Sequence, residues 1–287
     1  MSTAGDLFAV QQGYFTEAGL EVTIKPGGPE QDPIRELELG YADFGVASAD
    51  QVIRALAKGA PVVVVAQLFQ VNPLQWIYRQ SRFTIKEPDD LRGRTIGVTF
   101  GKNDEMILRS LLAQAQIPVS QVHLYGVRLD YTPFFRNRVD LWPVYINTQG
   151  VEIGTRLKTA GEPVAFLNPA EFGIRFVANA LVTTRSTMDA RPDLARRFVH
   201  AVIKGWRQAM DPVNDERVIA AVRRFDQDTA ADVLKRQLEA TRKLVQPHPD
   251  LAVGVIDRRG WRQTELIMLD HHQISKPVHV VERLRSL

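Results

Sequence analysis

Residues 13–50, GYFTEAGLEVTIKPGGPEQDPIRELELGYADFGVASAD, constrain the fold more than any other stretch of the chain. They read as a strand at 20–24, a stop at Pro26-Gly27-Gly28, a helix opened by Pro33 and closed by Gly40, and a short strand at 42–46. A polar Ser48-Ala49-Asp50 turn then leads into a helix over 50–57. Two successive strand ends aim their loops and helix N-termini in one direction, which is how an open α/β sheet builds a ligand crevice.

The alternation continues. Residues 61–66 are β-branched and apolar, with the character of a buried parallel strand, and 74–78 reads as another strand. From residue 84 the logic restarts: a short helix opened by Pro88, a strand at 95–98, a Phe100-Gly101 turn and a helix over 103–114. Residues 121–125, 141–146 and 164–166 supply further strands, and 176–183 reads as the return crossover. Beyond Pro192 the chain is helical at 192–209, 218–225, 230–245 and 261–272. Leu194, Phe198, Val202 and Trp206, spaced by four, give the first of these one buried face. A length of 287 residues fits two domains. The expectation is an α/β protein of two lobes joined by two crossover segments, with the site between them. Lobe one spans 1–82 and 184–287, and lobe two spans 83–183.

Composition removes several function classes. The formal charge of +3 is spread along the chain without a Lys/Arg block, so no nucleic-acid partner is expected. With no cysteine there is no disulfide, Cys-ligated zinc or thiol nucleophile. His271-His272 lack the spacing of a metal site, because adjacent helical residues diverge by about 100°. No metal and no cofactor are expected. The longest apolar run, 60–66, has strand length, and residues 1–10 lack the basic start and apolar core of a signal peptide. The sequence is accordingly read as a trimmed mature form or an excised domain.

Candidate ligand contacts sit on the strand-end loops. Gly27-Gly28 is either a plain turn or a place where backbone approaches a ligand, with Gln31 nearby. Ser48 and Asp50 cap the following helix and could also present N–H groups. Phe69, Gln70 and Asn72, a phenyl and two amides after a buried strand, form a lining set. In lobe two, the Thr99–Asn103 turn offers Phe100, the cation of Lys102 and a helix N-terminus capped by Asn103, which could hold an anionic or carbonyl edge. Trp142 and Tyr145 cannot share one face of a regular strand, so one is core; Tyr145 and Asn147 are assigned to the ligand. Arg175 precedes the return crossover and could reach the same place. Trp206 and Trp261 read as core, and Arg223-Arg224 and Arg258-Arg259 as solvated surface.

The segments GYFTEAGLEVTI, PGGPEQDPI, GYADFGVASADQVI, KGAPVVVVAQLFQ, DDLRGRTIGV, VDLWPVYINTQG, FGIRFVANALVTT and PDLARRFVHAVIKGW occur in this order. Together they resemble the NMT1/THI5-like substrate-binding proteins of ABC importers. The resemblance implies a periplasmic-binding-protein type II fold closing on a small ligand by hinge motion. It implies a monomer outside the cytoplasm, periplasmic or membrane-anchored, with an ABC permease as partner. The ligand would be an aromatic heterocycle such as the thiamine pyrimidine precursor or a flavin. The alternatives are a sensing domain of a signalling receptor and an enzyme of thiamine-pyrimidine synthesis; the enzymatic branch has a cysteine-rich motif, and this chain has no cysteine. The chain departs from the family in two places. The strand that usually precedes the segment matching residues 5–15 is not in the sequence as given, which is either truncated or folds lobe one without it, and Asn147-Thr148-Gln149 stands where pyrimidine- and riboflavin-binding relatives often have Asn-Glu.

Overall fold

The computed structural model describes residues 1–25, 27, 31–128 and 130–287. In chain order the elements begin with α1 (Ala4–Gln11), α2 (Tyr14–Glu17), α3 (Pro33–Glu38), β1 (Phe44–Ala47), α4 (Ala49–Ala57), β2 (Val62–Phe69) and β3 (Leu74–Arg79). Then come β4 (Thr95–Val98), α5 (Asn103–Gln114), β5 (His123–Gly126), α6 (Thr132–Phe135), β6 (Leu141–Tyr145), α7 (Gln149–Thr159) and β7 (Val164–Leu167). The chain returns through β8 (Ala178–Thr184), α8 (Arg185–Ala190), α9 (Pro192–Ala209), α10 (Asp215–Arg223), α11 (Ala231–Val245) and α12 (Arg258–Asp270). Contacts divide it into two units: residues 1–71 with 177–287, and residues 72–176.

The first unit holds a three-stranded sheet in the order β1-β8-β2. All eight residues of β2 are buried, as its β-branched run predicts. Its partner is not a parallel strand, however: β2 and β1 both pair antiparallel with β8, and a bulge interrupts the β2 register between Val64 and Ala66. A continuous apolar run reports burial on both faces and not strand direction. The other edge of β2 is covered by bridges from Gly254 to Gln67 and from Leu284 to Val64.

Residues 20–25 form no strand, contrary to the sequence expectation. They have β propensity but no partner in the sheet, and propensity without a ladder leaves backbone groups to solvent. Lys25 fastens this segment instead, its Nζ donating to Tyr41 O (2.8 Å) and Glu36 Oε2 (3.1 Å). Pro33 stands at the first turn of α3, and Asp32 Oδ1 accepts the Ile34 N–H. On α9 the stripe expected from the sequence is buried at Val202 and Trp206, while Phe198 stacks on Phe44 and Phe15. α1 crosses α9 where Gly5 and Gly205 remove side chains from the interface.

The second unit is a five-stranded sheet in the order β5-β4-β6-β3-β7. β4 runs parallel to β5 and β6, and β3 runs antiparallel to β6 and β7. The contact boundaries fall earlier than residues 82 and 183 because β3 pairs within this sheet and β8 pairs in the first unit. The core on one face gathers Ile77, Phe134, Val139, Trp142, Val144, Ile153 and Leu157. Its first and last residues are tied: Asn72 Nδ2 donates to Phe176 O at 2.8 Å.

Candidate functional site

In the second unit, β4 and β6 run parallel with Ile96 opposite Leu141, so the chain segments leaving them emerge at one edge of the sheet. Phe100, two residues beyond β4, is 57% exposed, and its ring lies against Gly126 at the end of β5. Tyr145, the last residue of β6, is 37% exposed. Strand alternation separates it from Trp142, which is buried in the core against Phe134 and Tyr131. Trp142 is thus the core member of the pair. Asn147 is brought to the same edge but is fully buried. Tyr125, also 37% exposed and not singled out from sequence, lies at the end of β5 with its ring 6.5 Å from that of Trp142, on the face of the sheet away from Tyr145.

The turn into α5 differs from the expected cap. Lys102, not Asn103, occupies the N-cap position, and no side chain caps there. The carboxylates one turn on take over: Asp104 Oδ2 accepts the Thr99 N–H (2.6 Å) and Glu105 Oε2 accepts the Gly101 N–H (2.7 Å). Gly101, with φ of +77°, makes the tight reversal possible. Glu105 also receives Arg109 Nε at 2.8 Å, and its carboxyl is held below the usual range by the Gly101 N–H and Arg109 despite some burial. Asp104 is 4% exposed, and burial raises its pKa against the hydrogen bond from Thr99. Asp104 and Glu105 were not singled out from sequence; a pair of acids directly after a Gly-Lys-Asn turn was the available signal.

The first-unit candidates have structural partners. Ser48 precedes α4, and Gln51 Oε1 accepts both its N–H and its hydroxyl. Asp50 is buried, accepts from the Ser48 hydroxyl and pairs with Arg54. Phe69 is buried edge-on against Trp206. Gln70 Nε2 donates to Gln67 O and Val255 O. At the start of the second unit, the Asn72 amide both donates to Phe176 O and accepts the Leu74 N–H. Gln31 is exposed, and Gly28 lies outside the described residues. Lys102 and Arg175 are exposed, and Asn103 is partly so. Trp206 and Trp261 are fully buried, and Arg223, Arg224, Arg258 and Arg259 are exposed. Among the described residues no cluster of three or more His, Asp or Glu side chains could hold a metal ion, and no helix is long and apolar enough to cross a membrane.

Comparison with known proteins finds binding proteins over nearly the whole chain and, more weakly, enzymes, among them a 4-amino-5-hydroxymethyl-2-methylpyrimidine phosphate synthase of Legionella pneumophila, 25% identical over 203 residues and covering 69% of this chain and 62% of the relative. A formylaminopyrimidine-binding protein from Halalkalibacterium halodurans is 24% identical over 284 residues, covering 97% of this chain and 84% of the relative. The riboflavin-binding protein RibY of Chloroflexus aurantiacus is 24% identical over 290 residues, covering 95% and 78%. Among solved structures, the periplasmic aliphatic sulphonate binding protein SsuA from Escherichia coli superposes with a TM-score of 0.77. That match covers 98% of this chain and 88% of SsuA at 16% identity, which establishes a shared periplasmic-binding-protein fold. The family model described as NMT1/THI5 like matches residues 1–214. This chain belongs to the NMT1/THI5-like family.

Proposed function

We propose that the protein is the solute-binding component of an ABC importer and captures a small aromatic heterocycle, a thiamine-type pyrimidine or a flavin. The observation that carries this reading is the pair of exposed rings, Phe100 and Tyr145, where the chain leaves the parallel strands β4 and β6 of the second unit. A planar heterocycle needs flat apolar contact on its faces and a few polar groups at its edge. The names of the two binding-protein relatives, which specify a pyrimidine and a flavin, support the same ligand class. The mechanism is binding followed by delivery to a membrane permease, with no bond made or broken. A chain without cysteine offers none of the thiol ligands of the enzymatic branch. The protein acts outside the cytoplasm, as its fold relatives do.

A thermal-shift screen tests the reading. A ligand that binds only the folded state raises the melting temperature by mass action, by about 2.7 kcal/mol of stability at a hundredfold excess over Kd. Thiamine pyrimidines or riboflavin are expected to raise it. No shift with any heterocycle would count against the ligand class.

A further inference from the structure

We infer that Gly126, the last residue of β5, is a positioning residue of the ligand site: the side chain it lacks leaves the space in which the Phe100 ring is seated as a preformed stacking platform. The inference rests on the solute-binding reading above and names a determinant of that site outside the rings themselves.

The backbone gives no reason for a glycine at this position. Gly126 pairs in parallel register with Val98, as an ordinary strand residue does. Its φ lies outside the left-handed region, so the conformation is open to any residue. It is exposed, so no packed core demands a missing side chain. Such a position favours a β-branched residue, and glycine weakens the strand. What the missing side chain admits is Phe100. A Cβ on Gly126 would stand 3.1 Å from Cε2 and 3.4 Å from Cδ2 of that ring, and would meet nothing else within 4 Å beyond its chain neighbours.

The turn that carries Phe100 is pinned on both sides of it. The Thr99 N–H goes to Asp104 Oδ2 at 2.6 Å, the Gly101 N–H to Glu105 Oε2 at 2.7 Å, and the Lys102 N–H to Thr99 O at 3.0 Å. With the backbone fixed, only rotation about the side-chain bonds remains, and the contact with Gly126 selects the orientation. Register sets the face. Leu124, Ile96 and Leu141 stand side by side across β5, β4 and β6. Alternation from these residues puts Gly126 and Tyr145 on one face of the sheet. The Phe100 ring, seated over Gly126 yet 57% exposed, thus offers its free surface on the face that carries Tyr145. A ring held in place before the ligand arrives loses little rotamer freedom on binding.

The test is a double-mutant cycle of Gly126→Val and Phe100→Ala, titrated calorimetrically with riboflavin and with the hydroxymethyl pyrimidine of thiamine. Gly126→Val should melt at or above the wild-type temperature, since valine suits the strand. It should nevertheless bind the probe at least about tenfold more weakly, the worth of a lost stacked ring. In the Phe100→Ala background the same substitution should cost no further affinity. Nuclear Overhauser contacts between the Gly126 Hα and the Phe100 ring protons should be present in ligand-free wild type and lost in Gly126→Val. Undiminished binding by folded Gly126→Val overturns the proposal. So does an equal loss in both backgrounds, which would make the valine a direct obstacle to the ligand, and so does the absence of the Overhauser contacts from wild type. If Gly126→Val does not fold, Gly126→Ala runs the same cycle in smaller steps. A wild type that binds neither probe refutes the heterocycle reading and the role of Gly126 with it; the other adverse results refute the role of Gly126 alone.

Discussion

Tyr145 and Trp142 stand three residues apart on one strand and do different work. Trp142 is core, and truncating it to alanine should cost about 3–5 kcal/mol of stability through the cavity it leaves. Tyr145→Ala should cost much less, about 1 kcal/mol, because 37% of the residue is already in solvent. It should weaken heterocycle binding by roughly tenfold, since a stacked ring contributes about 1 kcal/mol beyond its area. Chemical denaturation and calorimetry on the two variants separate these outcomes. Asp6 has a distinct role at the same scale. Its Oδ1 accepts from Trp206 Nε1 at 2.9 Å, yet burial pushes its pKa up from 3.8 to about 7. The folded state therefore holds a proton that the unfolded chain releases between these values, so this group's contribution is fully present below pH 4 and is lost as pH rises through 7. Asp6→Asn keeps the acceptor for Trp206 and removes the charge. It should be more stable than wild type at pH 8 by on the order of 2 kcal/mol, with the difference vanishing toward pH 4. Melting curves across that range check it, and equal stability of the two proteins at pH 8 would refute it.

Among the elements, the α1–α9 crossing depends on missing side chains. A Cβ on Gly5 would fall inside the Trp206 ring, and one on Gly205 would strike Ala9 and the Gly5 carbonyl. Gly5→Val should cost about 2–3 kcal/mol, since neither helix can retreat without opening the packed face; urea titration measures it. The C-terminal segment is held differently. Glu265 on α12 is buried and accepts three backbone N–H groups, from Val278 (2.6 Å), His279 (2.9 Å) and Val280 (2.9 Å). Glu265→Ala strands those donors at a cost of about 3 kcal/mol. Amide exchange at 278–280 should accelerate far more than exchange in β8. Much of this level was readable from sequence. β4, α5 and α9 match their expected bounds end to end, because Pro192 and the Gly101 turn punctuate the chain locally. Features with distant partners were not readable. The direction of β2 depends on β8, more than a hundred residues later. The partners of the Gln70 and Asn72 amides, the carbonyls of Val255 and Phe176, lie more than a hundred residues further along the chain.

For the molecule as a whole, the informative asymmetry is that one unit is continuous and the other is not. Residues 72–176 leave and re-enter the first unit, and the hydrogen bond from Asn72 to Phe176 brings their ends together. Every strand of their sheet lies within the segment, as does their core around Trp142 and Phe134. Arg79 is satisfied inside it too, by Glu162 and by the carbonyls of Phe134 and Phe135. A segment that supplies its own core and closes its own ends has what an autonomous domain requires. Excised as residues 72–176, it should fold cooperatively, with dispersed amide resonances and a single sigmoidal melt. The first unit should behave differently when its halves are expressed apart. β8 belongs to the C-terminal half and is the central strand between β1 and β2 of the N-terminal half, so residues 1–71 alone lose the strand that joins their sheet. That fragment should remain unfolded or aggregate through its unpaired apolar β2 edge, and adding residues 177–287 in trans should rescue it. A folded, monomeric 1–71 fragment would show that the sheet does not depend on β8.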